Sequence, residues 1–246
     1  MTEFQPVLSL RGIHKAFDGL VAIQNFSLDL FSSKIVALVG DNGAGKSTII
    51  KVISGIYPPT SGEILLDGEM VDFSDASSSR SRGIEVVHQD LALVDEQPVY
   101  MNMFLGKELT KKPFGLLNKA RMRQESQNLV DALDVRIPST NLAIRNLSGG
   151  QRQGIAIARA VHWASKLILL DEPTAALGVV ETAKVEELVS SLRERKLAIL
   201  LISPSLDQVF RLADQICVLR RGEQIGIRET CKTNKNEIIS MITGVH

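Results

Sequence analysis

The stretch Gly40-Asp41-Asn42-Gly43-Ala44-Gly45-Lys46-Ser47 constrains this chain more than any other. It fits G-x-x-x-x-G-K-[ST], a glycine loop whose backbone N–H groups turn toward a single anion. The apolar run Ile35-Val36-Ala37-Leu38-Val39 precedes it and the helix-forming run Thr48-Ile49-Ile50-Lys51-Val52-Ile53 follows, which gives strand, glycine loop, helix. Glycines allow successive N–H groups to converge without Cβ clashes. The helix aims its positive end at the same anion. Lys46 adds a full charge for the β- and γ-phosphates, and Ser47 offers a hydroxyl to Mg²⁺. Gly40, Asn42, Gly43, Gly45, Lys46, Ser47 and Thr48 are therefore expected to line a nucleotide site.

At 246 residues and 44% apolar content the chain can build one large α/β core with an inserted subdomain. Its 28 basic and 28 acidic residues cancel, so no net field draws it to nucleic acid or anionic lipid, although local basic patches remain allowed. Cys217 and Cys231 match no metal spacing and are expected to be free thiols in a reducing cytosol. The longest apolar runs, 167–170 and 197–202, suit buried strands and fall short of a membrane span. The opening Met1-Thr2-Glu3-Phe4-Gln5-Pro6 lacks the basic and apolar regions of a secretion signal. The expected location is cytoplasmic.

Residues 7–39 read as several strands, with Phe26, Leu28 and Leu30 alternating with Ser27 and Asp29. A strand pair is expected over 63–66 and 70–73 around Asp67-Gly68-Glu69, and a buried strand over 84–87 leading to Gln89. From 97 the texture turns helical, and 118–133 is amphipathic with Met122, Leu129 and Leu133 toward one face. Alternation then resumes: helix 150–162, strand 167–170, helix 180–195, strand 197–202, helix 206–213, strand 215–219. Such alternation implies right-handed βαβ units and a parallel sheet covered on both faces.

Leu167-Ile168-Leu169-Leu170-Asp171-Glu172 is a buried strand ending in two acids. Paired with the glycine loop, Asp171 is expected to hold Mg²⁺ through water, and Glu172 to polarise the attacking water. Leu147-Ser148-Gly149-Gly150-Gln151 sets a serine and two glycines at the start of another helix, a second phosphate-recognition surface. One γ-phosphate needs one glycine loop. The second surface is explained if a facing subunit uses it, with ATP held between the loop of one chain and Ser148, Gly149, Gly150 and Gln151 of the other.

In these motifs, their order and their spacing, nearly the whole chain resembles the ATP-binding cassette (ABC) ATPases that power membrane transporters. The resemblance implies an α/β P-loop NTPase core with a mainly parallel sheet, an N-terminal antiparallel β subdomain and an inserted α-helical subdomain. Within a single domain over 1–246, the core would take 1–96 and 161–246, and the helical insertion 97–160. It implies that Gln89 touches Mg²⁺ and the attacking water and couples the helical subdomain to the core. It also sets Phe17 where the family stacks an aromatic ring on adenine, the bland reading being a strand residue in the core. Glu172-Pro173-Thr174-Ala175-Ala176-Leu177-Gly178 and Gln89-Asp90-Leu91-Ala92-Leu93-Val94 look like bacterial monosaccharide importers. The implied partners are a second cassette in a homo- or heterodimer, transmembrane permease subunits and, indirectly, a periplasmic solute-binding protein, with no nucleic acid. The chain would lie peripherally on the inner face of the cell membrane. Docking is expected around 89–105, with Val94, Met101, Met103, Phe104 and Leu105 as its apolar residues, most of them packed inside the helical subdomain.

Two positions depart from the family's pattern. Pro204, in Ile202-Ser203-Pro204-Ser205, stands where these ATPases carry a histidine, and it offers neither imidazole nor backbone N–H. None of His14, His88, His162 and His246 falls at a substitute position. Gly178 stands where most cassettes place an aspartate, although glycine looks normal among the sugar importers. ATP and Mg²⁺ binding are expected to survive, and hydrolysis at the chain's own loop to be slowed. An alternative role follows, a weakly hydrolysing regulatory cassette that pairs with a complete one.

Overall fold

The computed structural model describes residues 5–245; part of the stretch read for a secretion signal, residues 1–4, and His246 lie outside the described residues. In chain order, β1 (Leu8–Phe17) and β2 (Leu20–Leu30) form a hairpin, and β3 (Ile35–Val39) runs into the glycine loop and α1 (Lys46–Ile53). β4 (Ser61–Leu66) and β5 (Glu69–Val71) make a second hairpin, followed by α2 (Ala76–Ser81) and β6 (Ile84–Val87). Next come α3 (Val99–Met103), the two-residue strands β7 (Thr110–Lys111) and β8 (Leu116–Leu117), and α4 (Lys119–Ala132). The chain ends with α5 (Gly149–Trp163), β9 (Leu167–Asp171), α6 (Val179–Ser191), β10 (Ala198–Ile202), α7 (Leu206–Leu212), β11 (Gln215–Arg220), β12 (Glu223–Glu229) and α8 (Lys235–Thr243).

Ten strands join one sheet in the order β5-β4-β1-β2-β12-β11-β3-β10-β9-β6. β3 lies between β10 and β11 and is parallel to both, and β9 pairs in parallel with β10. All five residues of β3 and of β10 are buried, as a strand covered on both faces requires. The N-terminal strands are antiparallel: β1 pairs with β2 on one side and β4 on the other, and β5 pairs with β4. β12 turns back antiparallel on β11 and touches β2 at Glu223↔Gln24, which joins the parallel and antiparallel parts.

The chain divides into two compact units. The first takes the chain up to Val86, Ala164–Glu172 and everything from Leu192. The second takes Val87–Trp163 and Pro173–Ser191, so residues 97–160 fall in it together with the flanking 87–96 and 161–163 and with α6. In the second unit, Met122, Ser126, Val130 and Leu133 line the buried side of α4, with Leu129 half-buried beside them. β7 and β8 interrupt what the sequence texture reads as helical.

Some element bounds shift for local reasons. The helix expected over 180–195 tightens to a 3-10 turn at Leu192–Arg195. β12 and α8 carry no clear apolar period: β12 alternates only weakly between half-buried and exposed, and α8 buries only Ile238. α8 is fixed instead by its cap, since the Asn234 side chain accepts from the Glu237 N–H at 3.0 Å.

Candidate functional site

In the first unit, one row of the sheet carries Asp171, Ile202, Leu38 and Cys217 on neighbouring parallel strands. The loops just past this row, at the carboxyl ends of the strands, are where ligands bind in open parallel sheets. β3 delivers the glycine loop there. α1 begins at Lys46 with Gly45 as its cap residue, without a side-chain cap or an acid in its first turn. Its first-turn N–H groups are thus left to an anion. Gly45 has φ 108, and a Cβ at this position would fall 2.5 Å from Ile23 Cδ1 and 2.8 Å from the Ala22 carbonyl oxygen. The loop is fixed from outside, with Gly222 N–H donating to the Ala44 carbonyl at 2.9 Å and Gln24 N–H to the Gly222 carbonyl at 2.8 Å.

The Lys46 ammonium donates to the carbonyls of Gly40 (2.7 Å) and Asp41 (2.9 Å), so the loop wraps its own cation. Burial pushes the pKa of Lys46 below the ordinary lysine value, and the charges of Glu172, Asp171 and Asp41 act in the opposite sense. Asp171 and Glu172 therefore act electrostatically on Lys46, although β10 separates their strand from β3. Glu172 takes a left-handed backbone with φ 50, and its N–H donates to the Ile202 carbonyl at 2.9 Å. This turns the chain sharply after Asp171. Ser47 is exposed, with Thr48 half-buried beside it. Asn42 and Gly43 are exposed on the loop.

Among the described residues no three His, Cys, Asp or Glu side chains group to hold a metal. Two oxygen donors, Ser47 and Asp171, fit a cation that keeps several waters and takes its other ligands from a substrate's phosphates. Such donors suit Mg²⁺.

Phe17 ends β1 half-buried, outside the closed core. Its ring meets the Tyr57 ring edge-on, with centroids 5.0 Å apart and planes at 73°. The Lys15 ammonium lies 4.9 Å from the Phe17 centroid and donates to the Pro58 carbonyl at 2.8 Å. Tyr57 N–H donates to the Lys51 carbonyl of α1 at 3.0 Å, and Ala16 N–H to Thr60 Oγ1 at 3.1 Å. Residues 57–60 thus tie the aromatic strand end to the helix of the glycine loop. Tyr57 escapes sequence reasoning, because an isolated tyrosine before two prolines carries no motif.

Between β10 and α7, Ser203 is buried, and its Oγ accepts from the Ser205 N–H at 3.1 Å. Pro204 is exposed at this turn.

In the second unit, Ser148 and Gln151 form a reciprocal cap on α5. Gln151 N–H donates to Ser148 Oγ (3.3 Å), and Gln151 Oε1 accepts from Ser148 N–H (2.9 Å). This is the S-x-x-Q capping box, a signal already present in the sequence. The Ser148 oxygen therefore serves its own helix and keeps its proton to donate. Gln151 Nε2 donates to the Arg136 carbonyl at 2.8 Å, which anchors the tip. A Cβ on Gly150 would fall 2.7–2.8 Å from the Glu181 side chain, whose Oε2 accepts from Gly178 N–H at 3.1 Å. Gly149 and Gly150 thus let the 177–181 segment pack close, and Gly178 leaves room for the Glu181 carboxylate.

Gln89 is exposed in the turn after β6, and its neighbour His88 is exposed too. The segment that follows is held by residues that sequence reasoning does not single out. Arg159 donates to the carbonyls of Leu91 (2.7 Å) and Ala92 (2.8 Å). The buried Asn102 accepts from Val94 N–H (2.7 Å) and donates to the carbonyls of Val94 and Gln97 (3.1 Å each). Val94, Gln97, Met101, Asn102 and Leu105 line a shallow apolar groove. Met103 and Phe104 are buried, with Phe104 set edge-on to Trp163 at 5.8 Å.

Residues 23–175 match the family model described as ABC transporter. The chain is 46% identical over 237 residues to the xylose/arabinose import ATP-binding protein XylG of Sulfolobus acidocaldarius, covering 96% of this chain and 94% of that one. It is 40% identical over 246 residues to the fructose import ATP-binding protein FrcA of Rhizobium meliloti, covering 98% and 95%. A solved dimeric ATP-binding cassette in a post-hydrolysis state, bound to ADP and phosphate, matches it with a TM-score of 0.76 at 25% identity, covering 91% of this chain and 98% of that one.

Proposed function

The chain belongs to the ABC transporter family, and we propose that it is the ATP-binding and ATP-hydrolysing subunit that energises a membrane importer of simple sugars. The observation that carries this reading is that the glycine loop after β3 and the acids Asp171 and Glu172 after β9 emerge at the carboxyl ends of parallel strands, with both acids acting electrostatically on Lys46. The likeness to XylG and FrcA over nearly the full length supports the sugar class.

In this reading the α1 N–H groups and Lys46 hold the triphosphate, and the Phe17 ring stacks on the adenine. Ser47 and Asp171 would hold Mg²⁺ through their side-chain oxygens. When bound, Mg²⁺ neutralises charge on the phosphate oxygens. The Glu172 carboxylate orients the attacking water and accepts its proton, the contribution of a general base. Lys46 stabilises negative charge as it develops on the transferred group. A second cassette presents Ser148, Gly149, Gly150 and Gln151 to the same nucleotide, and closure of the pair drives the permease through the 89–105 segment. The dimeric relative supports this pairing. The subunit works from the cytoplasmic face of the membrane, and a solute-binding protein delivers the sugar from the other side. The test is ATP hydrolysis by the purified chain with and without its permease. Stimulation by the permease and a sugar-binding protein is expected, and sugar-independent hydrolysis that ignores both overturns the reading.

A second reading is favoured by Pro204, which faces solvent at the β10–α7 turn without an imidazole or N–H to offer. In it the chain hydrolyses slowly at its own site and lends residues 148–151 to a complete partner cassette. Losing one contact to a developing charge costs about 10²–10³ in rate. Pro204→His is then expected to raise turnover of the chain alone, and ordinary turnover unchanged by the substitution dismisses this reading.

A further inference from the structure

We propose that the β7–β8 hairpin is a membrane-surface anchor that seats on anionic phospholipid headgroups. Residues 107–123 carry six basic side chains and one acid in a chain that is neutral as a whole. Three of the six are engaged by neighbouring side chains. Lys107 sits 4.5 Å from the Trp163 ring centroid, Arg123 4.7 Å from that of Tyr100, and Arg121 pairs with Glu125 at 2.7 Å. The other three, Lys111, Lys112 and Lys119, are exposed and form no ion pair among the described residues. Between them the hairpin displays Phe114 at 83% exposure, Leu116 at 66% and Leu117 at 38%.

An apolar cluster rimmed by charge marks a protein or membrane contact. Here the charge pattern selects the membrane. The apolar residues stand on an exposed two-stranded turn rather than in a groove, so a protein partner would need both a pocket for Phe114 and acids for three lysines. A bilayer surface supplies both without a shaped pocket. Phe and Leu enter the boundary between headgroups and acyl chains, while lysine stems lie along it with their ammonium groups at the phosphates. A polybasic segment near an anionic surface gains about fivefold in partitioning per lysine. The inference rests on the importer reading for the nearness of a membrane. The hairpin follows within a few residues of the 94–105 groove assigned to the permease.

The test is co-sedimentation of the whole chain with phosphatidylcholine vesicles, with and without phosphatidylglycerol. Binding is expected only to the anionic vesicles and to weaken with salt. Phe114→Ser lowers it, and Lys111→Glu with Lys112→Glu lowers it by about 25-fold or more. Both variants keep the basal ATPase rate, which shows that they fold. Equal binding to both vesicles, variants that bind like the unaltered chain, or capture only by vesicles that contain the permease protein each overturn the proposal. Permease-stimulated hydrolysis in detergent micelles tests the importer reading separately, since no bilayer is present there.

Discussion

Two loops of this molecule carry glycines at the start of a helix, and they are built in opposite ways. The 40–47 loop of the first unit follows a fully buried strand and folds around a buried cation, Lys46, which it holds with its own carbonyls. The 148–151 loop of the second unit contains no cation, and its serine and glutamine cap each other. Its glycines serve close packing against Glu181 and Leu177. The first is a loop closed around its own charge. The second is a rigid tip with a hydroxyl proton and N–H groups to offer but no charge. The contrast teaches that similar local sequences take different tasks according to whether a charged group is buried within them. It accords with a cradle that binds and a tip that caps nucleotide from another chain.

The sharpest way to break this contrast is to remove the base next to the cradle. Glu172→Gln is expected to lower steady-state ATP hydrolysis by about 10²–10⁴-fold while ATP binding persists. Hydrolysis that survives would take Glu172 out of the reaction. Lys46→Ala removes the wrapped cation and should reduce turnover by about 10²–10³ while also weakening ATP binding, measured by nucleotide titration. If binding were unchanged, the cradle would not be holding phosphate through this group.

Mixing variants sharpens the comparison between the loops. Gly150→Asp drives a side chain into Glu181 and spoils the tip, yet leaves the cradle of its own chain intact. Alone, this variant and Lys46→Ala are each expected to be inactive. Mixed, they should recover hydrolysis, because the cradle of one meets the tip of the other. A mixture as inactive as its components would mean that the tip does not act across chains.

The smallest effect concerns the frame of the cradle. Asp214 accepts from Ile35 N–H at 2.8 Å, at the start of the strand that delivers the loop, and pairs with Arg193 at 2.9 Å. Burial raises its carboxyl pKa, but the Ile35 N–H, Arg193 and Lys34 outweigh this and the net shift is downward. A depressed folded pKa gives stability that is present above the unfolded carboxyl value of about 3.9 and is lost as pH falls through the folded value. Asp214→Asn is expected to cost about 1–3 kcal/mol in urea unfolding at neutral pH and to flatten the loss of stability below pH of about 4. An unchanged profile would remove Asp214 from the frame.

Much of this molecule is legible in its sequence because short-range chemistry writes it there. Strand, glycine loop and lysine form one contiguous motif, and β9 ends in two adjacent acids, so each part of the first site announces itself within ten residues. The S-x-x-Q cap and the Asn234 cap are equally local. Tyr57, Asn102 and Arg159 are not legible in the same way. Each works by reaching main-chain groups or rings presented by a different segment, and no spacing encodes that meeting. The hairpin at 110–117 is legible only as a break in the helical texture, marked by Pro113 and Gly115, since no spacing encodes the pairing of 110–111 with 116–117.

By itself the sequence determined most of the elements and which residues bear charge, because periodicity, glycine placement and capping act within a few residues. Only the tertiary structure decided that Asp171 and Glu172 act on Lys46, that Gln151 anchors on the Arg136 carbonyl, and that Phe114 stands in water. These depend on which strands become neighbours and which surfaces stay uncovered, and both are settled by packing across long stretches of chain.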